Sequence, residues 1–186
     1  MRYWVPVLFC LFVYGCIGVS VVNMAKVSGY ETALDSQQQS CVKWISENDT
    51  LPNTPNDGNI YAVSASQMHS LIKRYPHSMV YLWTPSCTGN TCVSLSAIQQ
   101  QCDERGLELF VVATSFYEIF SQNTVPVKHP VFIPNERVYK KARYDDATWQ
   151  FVQGLIGEKN YDNLKDSLWI GRFVFREGEF IALDTP

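Results

Sequence analysis

Two strongly apolar runs with a helical segment between them limit the fold of this chain more than any other feature. The runs are Met79–Trp83 (MVYLW) and Leu107–Thr114 (LELFVVAT). Such runs are typical of central strands that are buried on both faces of a sheet. Ser94–Arg105 lies between them and is predicted to be a helix that ends at Gly106, because glycine is favoured just after a helix. We therefore predict an α/β protein with parallel strands.

Weaker patterns extend this alternation towards both ends of the chain. Apolar spacing, prolines and turn residues mark a strand and a helix before the first run. They also mark a long middle segment with an inserted helix, and a final hairpin. The predicted elements are a strand at Ile60–Val63, a helix from Ser64 that ends before Pro76, a short helix at Phe116–Phe120, an amphipathic helix at Asp146–Ile156, and strands at Arg172–Phe175 and Glu179–Leu183.

The N-terminus is predicted to be a targeting or anchoring segment. No charged residue occurs between Arg2 and Lys26, and Tyr3–Val22 is mostly apolar. An apolar helix of that length spans a bilayer core of about 30 Å. The single basic residue before it predicts that the rest of the chain is exported. Val13–Cys16 also resembles a bacterial lipobox, which would make Cys16 the lipidated residue. A cleaved lipoprotein signal and an uncleaved anchor remain as alternatives.

Three regions follow from these patterns. Residues 1–25 are the signal or anchor, residues 26–58 are a helical and linker region, and residues 59–186 are the α/β domain. The middle region is predicted to contain a helix because Leu34, Cys41, Trp44 and Ile45 fall on one helical stripe. Residues 48–59, rich in Asn, Asp and Pro, are predicted to be a linker.

Composition excludes several classes of protein. The net charge of −3 argues against a nucleic-acid binder, which usually carries a basic stripe. A hydrophobic fraction of 46% is too high for a disordered chain. Six cysteines in 186 residues, unevenly placed, do not form the framework of a small disulfide-rich domain. Neither a metal nor a cofactor is predicted, since His69, His77 and His129 lack zinc-finger spacing with the cysteines.

Cys87 and Cys92 form the motif that most suggests chemistry. Cys87 follows a predicted buried strand and precedes a predicted helix, and a thiol at a helix N-terminus has a lowered pKa. In a regular helix the two Cα atoms would lie about 8.6 Å apart. A disulfide needs less than about 7 Å. The pair therefore closes only if Thr88–Asn90 is not regular helix, and the turn-forming Gly89-Asn90 favours a loop there.

This arrangement resembles the thioredoxin-like superfamily over about residues 59–184. Trp83, four residues before Cys87, is similar to the Trp that precedes the active-site Cys of thioredoxins and of membrane-bound thiol oxidoreductases. Phe175–Phe180 (FREGEF) is similar to the closing hairpin of such domains. The resemblance implies a three-layer fold, with a central mixed sheet flanked by helices and an inserted helical segment before the final hairpin. It further implies that Cys87 is the nucleophile, that Cys92 resolves the mixed disulfide, and that Trp83 and Pro85 support the site.

The C-x4-C spacing also resembles the Q-type peroxiredoxins, which share the superfamily fold. That resemblance implies a thiol peroxidase in which Thr84 holds the peroxide and Cys92 is the resolving thiol. The Arg that polarises the peroxide in that family lies two residues before the position of Arg172, which is on the same face of the strand. A third alternative is a redox-silent protein with a binding or structural role and a stable Cys87–Cys92 disulfide. Cys102 is predicted to be a buried thiol, and Cys41 to be buried or paired with Cys102.

The leading hypothesis is a membrane-anchored, extracytoplasmic thiol–disulfide oxidoreductase. Its partners would be the thiols and disulfides of exported proteins, on the periplasmic side or at the cell surface. The N-terminal anchor or a lipid on Cys16 would hold it at the membrane, and no nucleic-acid partner is expected.

Overall fold

The computed structural model describes residues 33–51, 54–87, 92–120, 127–139 and 144–185. The predicted signal or anchor at residues 1–25, the lipidation site Cys16 and the predicted loop at Thr88–Asn90 lie outside this part of the chain. Within the described ranges, every helix is too short or too polar to cross a membrane.

Seven strands and five α-helices alternate along the described chain. In chain order they are α1 (Ser36–Ser40), β1 (Val42–Trp44), β2 (Ile60–Val63), α2 (Ala65–Ile72), β3 (His77–Trp83), α3 (Leu95–Arg105), β4 (Glu108–Ala113), β5 (Val131–Pro134), α4 (Tyr144–Ile156), α5 (Glu158–Leu164), a 3-10 helix (Leu168–Ile170), β6 (Arg172–Arg176) and β7 (Glu179–Leu183).

One mixed sheet contains all seven strands in the order β1-β2-β5-β4-β3-β6-β7. The first five strands of that order are parallel, so their carboxyl ends meet at one edge of the sheet. β6 and β7 continue it as an antiparallel hairpin beside β3. This confirms the predicted α/β class with parallel strands and a final hairpin.

Both faces of the sheet are covered, as the apolar runs predict. Val80 of β3 packs with Met68 of α2 and Phe151 of α4 on one face. Met79 and Trp83 of the same strand pack with Ile98 of α3 on the opposite face. Alternate side chains of a strand point to opposite faces, so continuous apolar runs give a three-layer arrangement of helices, sheet and helices.

The helix ends follow local sequence signals. α2 begins after Ser64, whose hydroxyl accepts a hydrogen bond from the Gln67 amide in a capping box. α3 begins after Ser94, whose hydroxyl accepts from the Ala97 amide. It ends at Gly106, which adopts the left-handed conformation with a φ of 66°. These boundaries match the predicted helices to within a few residues.

Three parts of the sequence interpretation are wrong. The helix predicted from the stripe Leu34 to Ile45 is instead the short helix α1 followed by strand β1, which pairs with β2 across the predicted linker. Buried Val42 and half-buried Trp44 flank exposed Lys43, which is the alternation of a strand. Phe116–Phe120 forms turns rather than a helix.

The third error concerns the segment before the final hairpin, which contains a strand as well as helices. All four residues of β5 are buried, and β5 lies between β2 and β4 in the sheet. β5 is short, Pro130 precedes it and Pro134 is its last residue. Because proline is disfavoured inside a sheet, the sequence predicts a loop there. The inserted helix itself is confirmed, since α4 covers the predicted range.

Candidate functional site

The carboxyl end of β3 leads directly into the cysteine motif. Trp83 ends the strand and is buried at 4% exposure among the side chains under α3. Its carbonyl accepts a hydrogen bond of 2.8 Å from the amide of Thr114, the residue that follows β4. Trp83 is therefore a core residue that fixes where the next segment leaves the sheet.

A tight turn carries the chain from Trp83 to the first cysteine. The Cys87 amide donates a 3.1 Å hydrogen bond to the carbonyl of Thr84. Pro85 is buried within this turn, whereas Thr84 is exposed. The hydroxyl oxygens of Thr84 and Thr114 lie 3.2 Å apart, so the ends of β3 and β4 are also linked through their side chains.

Cys87 and Cys92 form a disulfide, with their Cα atoms 5.9 Å apart. This distance is below the 8.6 Å or so that separates such residues in a regular helix, and it lies within the range that a disulfide allows. Cys87 is exposed and Cys92 is half-buried. Cys87 is therefore the more accessible residue of the pair.

The position of Cys87 relative to α3 differs from the prediction. α3 begins at Leu95, and Cys92 already precedes its N-cap Ser94. The amides of the first helical turn therefore belong to residues beyond both cysteines, and Ser94 itself satisfies the Ala97 amide. The expectation that the N-terminus of this helix stabilises the Cys87 thiolate is corrected accordingly.

Arg172 lies on the other side of β3, at the start of β6. Its Cα atom pairs with that of Tyr81, and the residue is 8% exposed. Among the described residues its ion-pair partner is Asp184, with Arg172 Nη1 3.8 Å from Asp184 Oδ2. Asp184 also accepts a 2.9 Å hydrogen bond from Arg105. The guanidinium is thus placed in a polar cluster with the C-terminal segment.

The two free cysteines do not take part in the site. Cys41 is half-buried, its thiol donates to the carbonyl of Gln37 at 3.6 Å, and it has no disulfide partner. Cys102 is fully buried and donates to the sulfur of Met79. The prediction that Cys102 is a buried thiol is confirmed, and the alternative of a Cys41–Cys102 disulfide is wrong. Burial raises the pKa of Cys102 to about 11, so this thiol is protonated at neutral pH.

The same edge of the sheet carries polar residues that the sequence interpretation missed. Arg137 follows β5, and its guanidinium lies 4.1 Å from the ring centre of Trp44 at the end of β1. Asn135 is buried and donates to the carbonyl of Ile45, which ties the β5 and β1 ends together. The sequence interpretation places Trp44 in a helix and Arg137 in an insertion, so it does not predict that the two residues lie close together. The described residues bring together no three His, Cys, Asp or Glu side chains as metal ligands.

The functional assignment rests on the residues of this chain, because comparison with known proteins found no match. No protein-family model matches this chain, and neither the curated proteins nor the solved structures contain a match.

Proposed function

We propose that this chain is a thiol–disulfide oxidoreductase of thioredoxin-like type, with Cys87 as the nucleophile and Cys92 as the resolving thiol. The observation that carries the proposal is the unequal exposure of a disulfide at the carboxyl edge of the sheet. Cys87 is exposed, whereas Cys92 is half-buried. Exchange needs one sulfur that a partner can reach and a second that competes for it intramolecularly.

The reaction transfers two electrons. In the reduced protein the Cys87 thiolate attacks one sulfur of a partner disulfide, forming a mixed disulfide and releasing the first partner thiolate. The Cys92 thiolate then attacks the Cys87 sulfur, which restores the Cys87–Cys92 disulfide and releases the second partner thiolate. The partner disulfide is reduced and this protein is oxidised. The reverse sequence oxidises a partner dithiol.

The packing of the residues before Cys87 supports a role in thiol–disulfide exchange. Trp83 and Pro85 are buried on the approach to Cys87, so the turn that presents the sulfur is anchored in the core. The Thr84 and Thr114 hydroxyls lie on the exposed side of that turn. Side chains held by packing keep a reactive group in one orientation, which favours a site over an incidental cross-link.

We further propose that the protein works outside the cytoplasm, tethered by its apolar N-terminus or by a lipid on Cys16. The support is the sequence of residues 1–25, with a single basic residue before a long apolar run. An oxidising compartment is also where a disulfide such as Cys87–Cys92 persists. Its partners there would be the thiols and disulfides of other exported proteins.

The experiment is to trap the mixed disulfide. The Cys92→Ser variant should accumulate a covalent adduct with a disulfide substrate such as insulin, seen by non-reducing mass spectrometry. The Cys87→Ser variant should form none, and the wild type should reduce insulin when supplied with dithiothreitol. Cys41→Ser is the matched control, because it removes a half-buried free thiol and should leave the activity unchanged.

Three outcomes would contradict the proposal. Adducts on Cys92 rather than Cys87 would reverse the assigned roles. Rapid formation of sulfenic acid at Cys87 with peroxide, without insulin reduction, would favour the peroxidase alternative. A disulfide that persists in dithiothreitol in the folded protein, with neither activity, would identify a structural cross-link.

A further inference from the structure

Two exposed side chains of opposite charge, Glu47 and Arg137, line one cavity beyond the carboxyl ends of β1 and β5. The cavity has a volume of about 340 Å³, and its walls include Trp44, Ser46, Glu47, Asn135 and Arg137. Among the described residues, no carboxylate lies within ion-pair distance of the Arg137 guanidinium, and no cation lies within that distance of Glu47. In α/β sheets, the carboxyl ends of strands are the usual position for small ligands.

The positive side of the cavity is held in place by packing. The Arg137 guanidinium stacks on Trp44 at 4.1 Å, and Trp44 in turn contacts Phe116, with ring centres 6.3 Å apart. The Arg137 amide donates a 3.0 Å hydrogen bond to the side chain of Asn135. A guanidinium whose plane is fixed by an aromatic ring presents its N–H groups to a carboxylate at little entropic cost.

On the negative side of the cavity, hydrogen bonds hold the main chain that carries Glu47. The side chain of Gln67 donates to the carbonyls of Ser46 at 2.6 Å and Asp49 at 3.1 Å, which brackets Glu47 on both sides. Just before it, the Ile45 amide donates to the carbonyl of Ala62 at 3.2 Å. The Glu47 carboxylate therefore projects from a loop whose main chain is anchored on α2 and β2.

A second, larger cavity adjoins the first. Its volume is about 630 Å³, and Glu47 and Val138 line both spaces. The larger space is bordered by the polar residues Ser64, His69 and Asn160 and by the apolar residue Leu155. A small polar head group in the first cavity would thus leave room for a substituent in the second.

We propose that this cavity binds a compact zwitterion, namely a free α-amino acid. Its carboxylate lies on Arg137, its ammonium group on Glu47, and its side chain extends into the adjoining cavity. A bidentate guanidinium–carboxylate pair and an ammonium–carboxylate pair match the two charges of the cavity one for one. The proposal does not rest on the redox function, because it uses neither Cys87 nor Cys92.

The test is isothermal titration of the full chain with each of the twenty protein amino acids. We expect saturable one-to-one binding of at least one of them at millimolar concentration or below. If L-leucine binds, 3-methylbutylamine and 4-methylpentanoate, which each lack one of its charges, should bind at least about tenfold more weakly. Equal binding of either analogue, or no heat with any amino acid, would overturn the proposal.

Substitutions in the cavity test whether the amino acid binds there. Arg137→Gln and Glu47→Gln should each weaken binding about tenfold or more, because each leaves one ligand charge unpaired. Arg137→Lys keeps the charge but loses the planar fork, and its binding should fall between wild type and Arg137→Gln. Arg74→Gln and Glu104→Gln remove exposed charges elsewhere and should leave the affinity unchanged. Unchanged affinity in both cavity variants would place any bound amino acid elsewhere and refute the site.

Discussion

The Cys102 thiol donates to the sulfur of Met79 at 3.7 Å, which joins α3 to β3 inside the core. Neither residue is accessible: Cys102 is 0% exposed and Met79 is 2% exposed. The molecule therefore holds cysteines in opposite situations: Cys87 is exposed and bonded to Cys92 at the sheet edge, whereas Cys102 on α3 is a buried free thiol.

This burial predicts a pH dependence of stability. Burial raises the pKa of Cys102 from an ordinary value of 9.0 to about 11. Between these values the unfolded chain loses the thiol proton and the folded chain keeps it, so stability falls as the pH rises from 9 towards 11. The full loss is on the order of 3 kcal/mol.

Urea unfolding of the wild type and of Cys102→Val over this range measures the effect. The valine variant lacks this titration, so the free-energy difference between the two proteins should shift in favour of the variant as the pH rises. A constant difference would contradict the prediction. In the folded wild type at pH 8, a maleimide should label Cys41 and leave Cys102 unmodified.

Reduction of the Cys87–Cys92 disulfide should lower the free energy of unfolding by about 2 kcal/mol. The disulfide closes a loop of only six residues, so it removes little entropy from the unfolded chain. Urea unfolding with and without a phosphine reductant, monitored by circular dichroism, measures the change. Loss of the folded state on reduction would instead show that the disulfide holds the fold together, contrary to a redox centre that cycles.

The close packing of α2 against α4 depends on a missing side chain at Gly154. A Cβ atom placed there would lie 2.8 Å from the Cβ atom of Ala65, closer than such atoms pack. Gly154→Ala should therefore destabilise the protein by about 1–3 kcal/mol, although alanine is the better helix former. The double variant Gly154→Ala/Ala65→Gly should recover part of this loss, and additive effects in thermal unfolding would contradict the contact.

Gln67 should stabilise the loop between β1 and β2 more than its position on a helix suggests. It is 6% exposed, and its side chain accepts from the Ser64 amide and donates to the carbonyls of Ser46 and Asp49. Gln67→Ala leaves these groups without their partner, so we expect a loss of about 2–3 kcal/mol and faster proteolysis within residues 46–50.

The control for this prediction is Gln100→Ala. Gln100 is exposed on α3 and hydrogen bonds only to Glu104 among the described residues. Its removal should change the free energy of unfolding by less than about 0.5 kcal/mol. Similar losses in the two variants would refute the special role of Gln67.

The sequence was most informative where one physical cause decides the structure. Burial on both faces makes β3 and β4 continuous apolar runs, and Gly106 ends α3 because few other residues adopt its left-handed conformation. β1 and β5 were not predicted because strands of three and four residues have no readable period, and their stability comes from pairing with distant strands.

The candidate site residues also differ in how well the sequence predicts their proximity. The Cys87–Cys92 pair follows from spacing and turn residues that are adjacent in sequence. Arg137 and Trp44 are brought together only by the parallel pairing of β1, β2 and β5, and nothing local to either residue signals that pairing. Contacts of this kind become visible only with the sheet order.

The two outermost strands of the described sheet bear on whether copies of this molecule associate edge to edge. Among the described residues, β1 has three residues and β7 has five, and each pairs with a neighbouring strand on one side only. Exposed Lys43 lies at the middle of β1 and exposed Glu179 at the start of β7. A strand from another molecule that docked at either edge would have to desolvate one of these charges. We therefore expect these two charges to disfavour edge-to-edge pairing of copies at both sides of the described sheet, whose interior strands are strongly apolar.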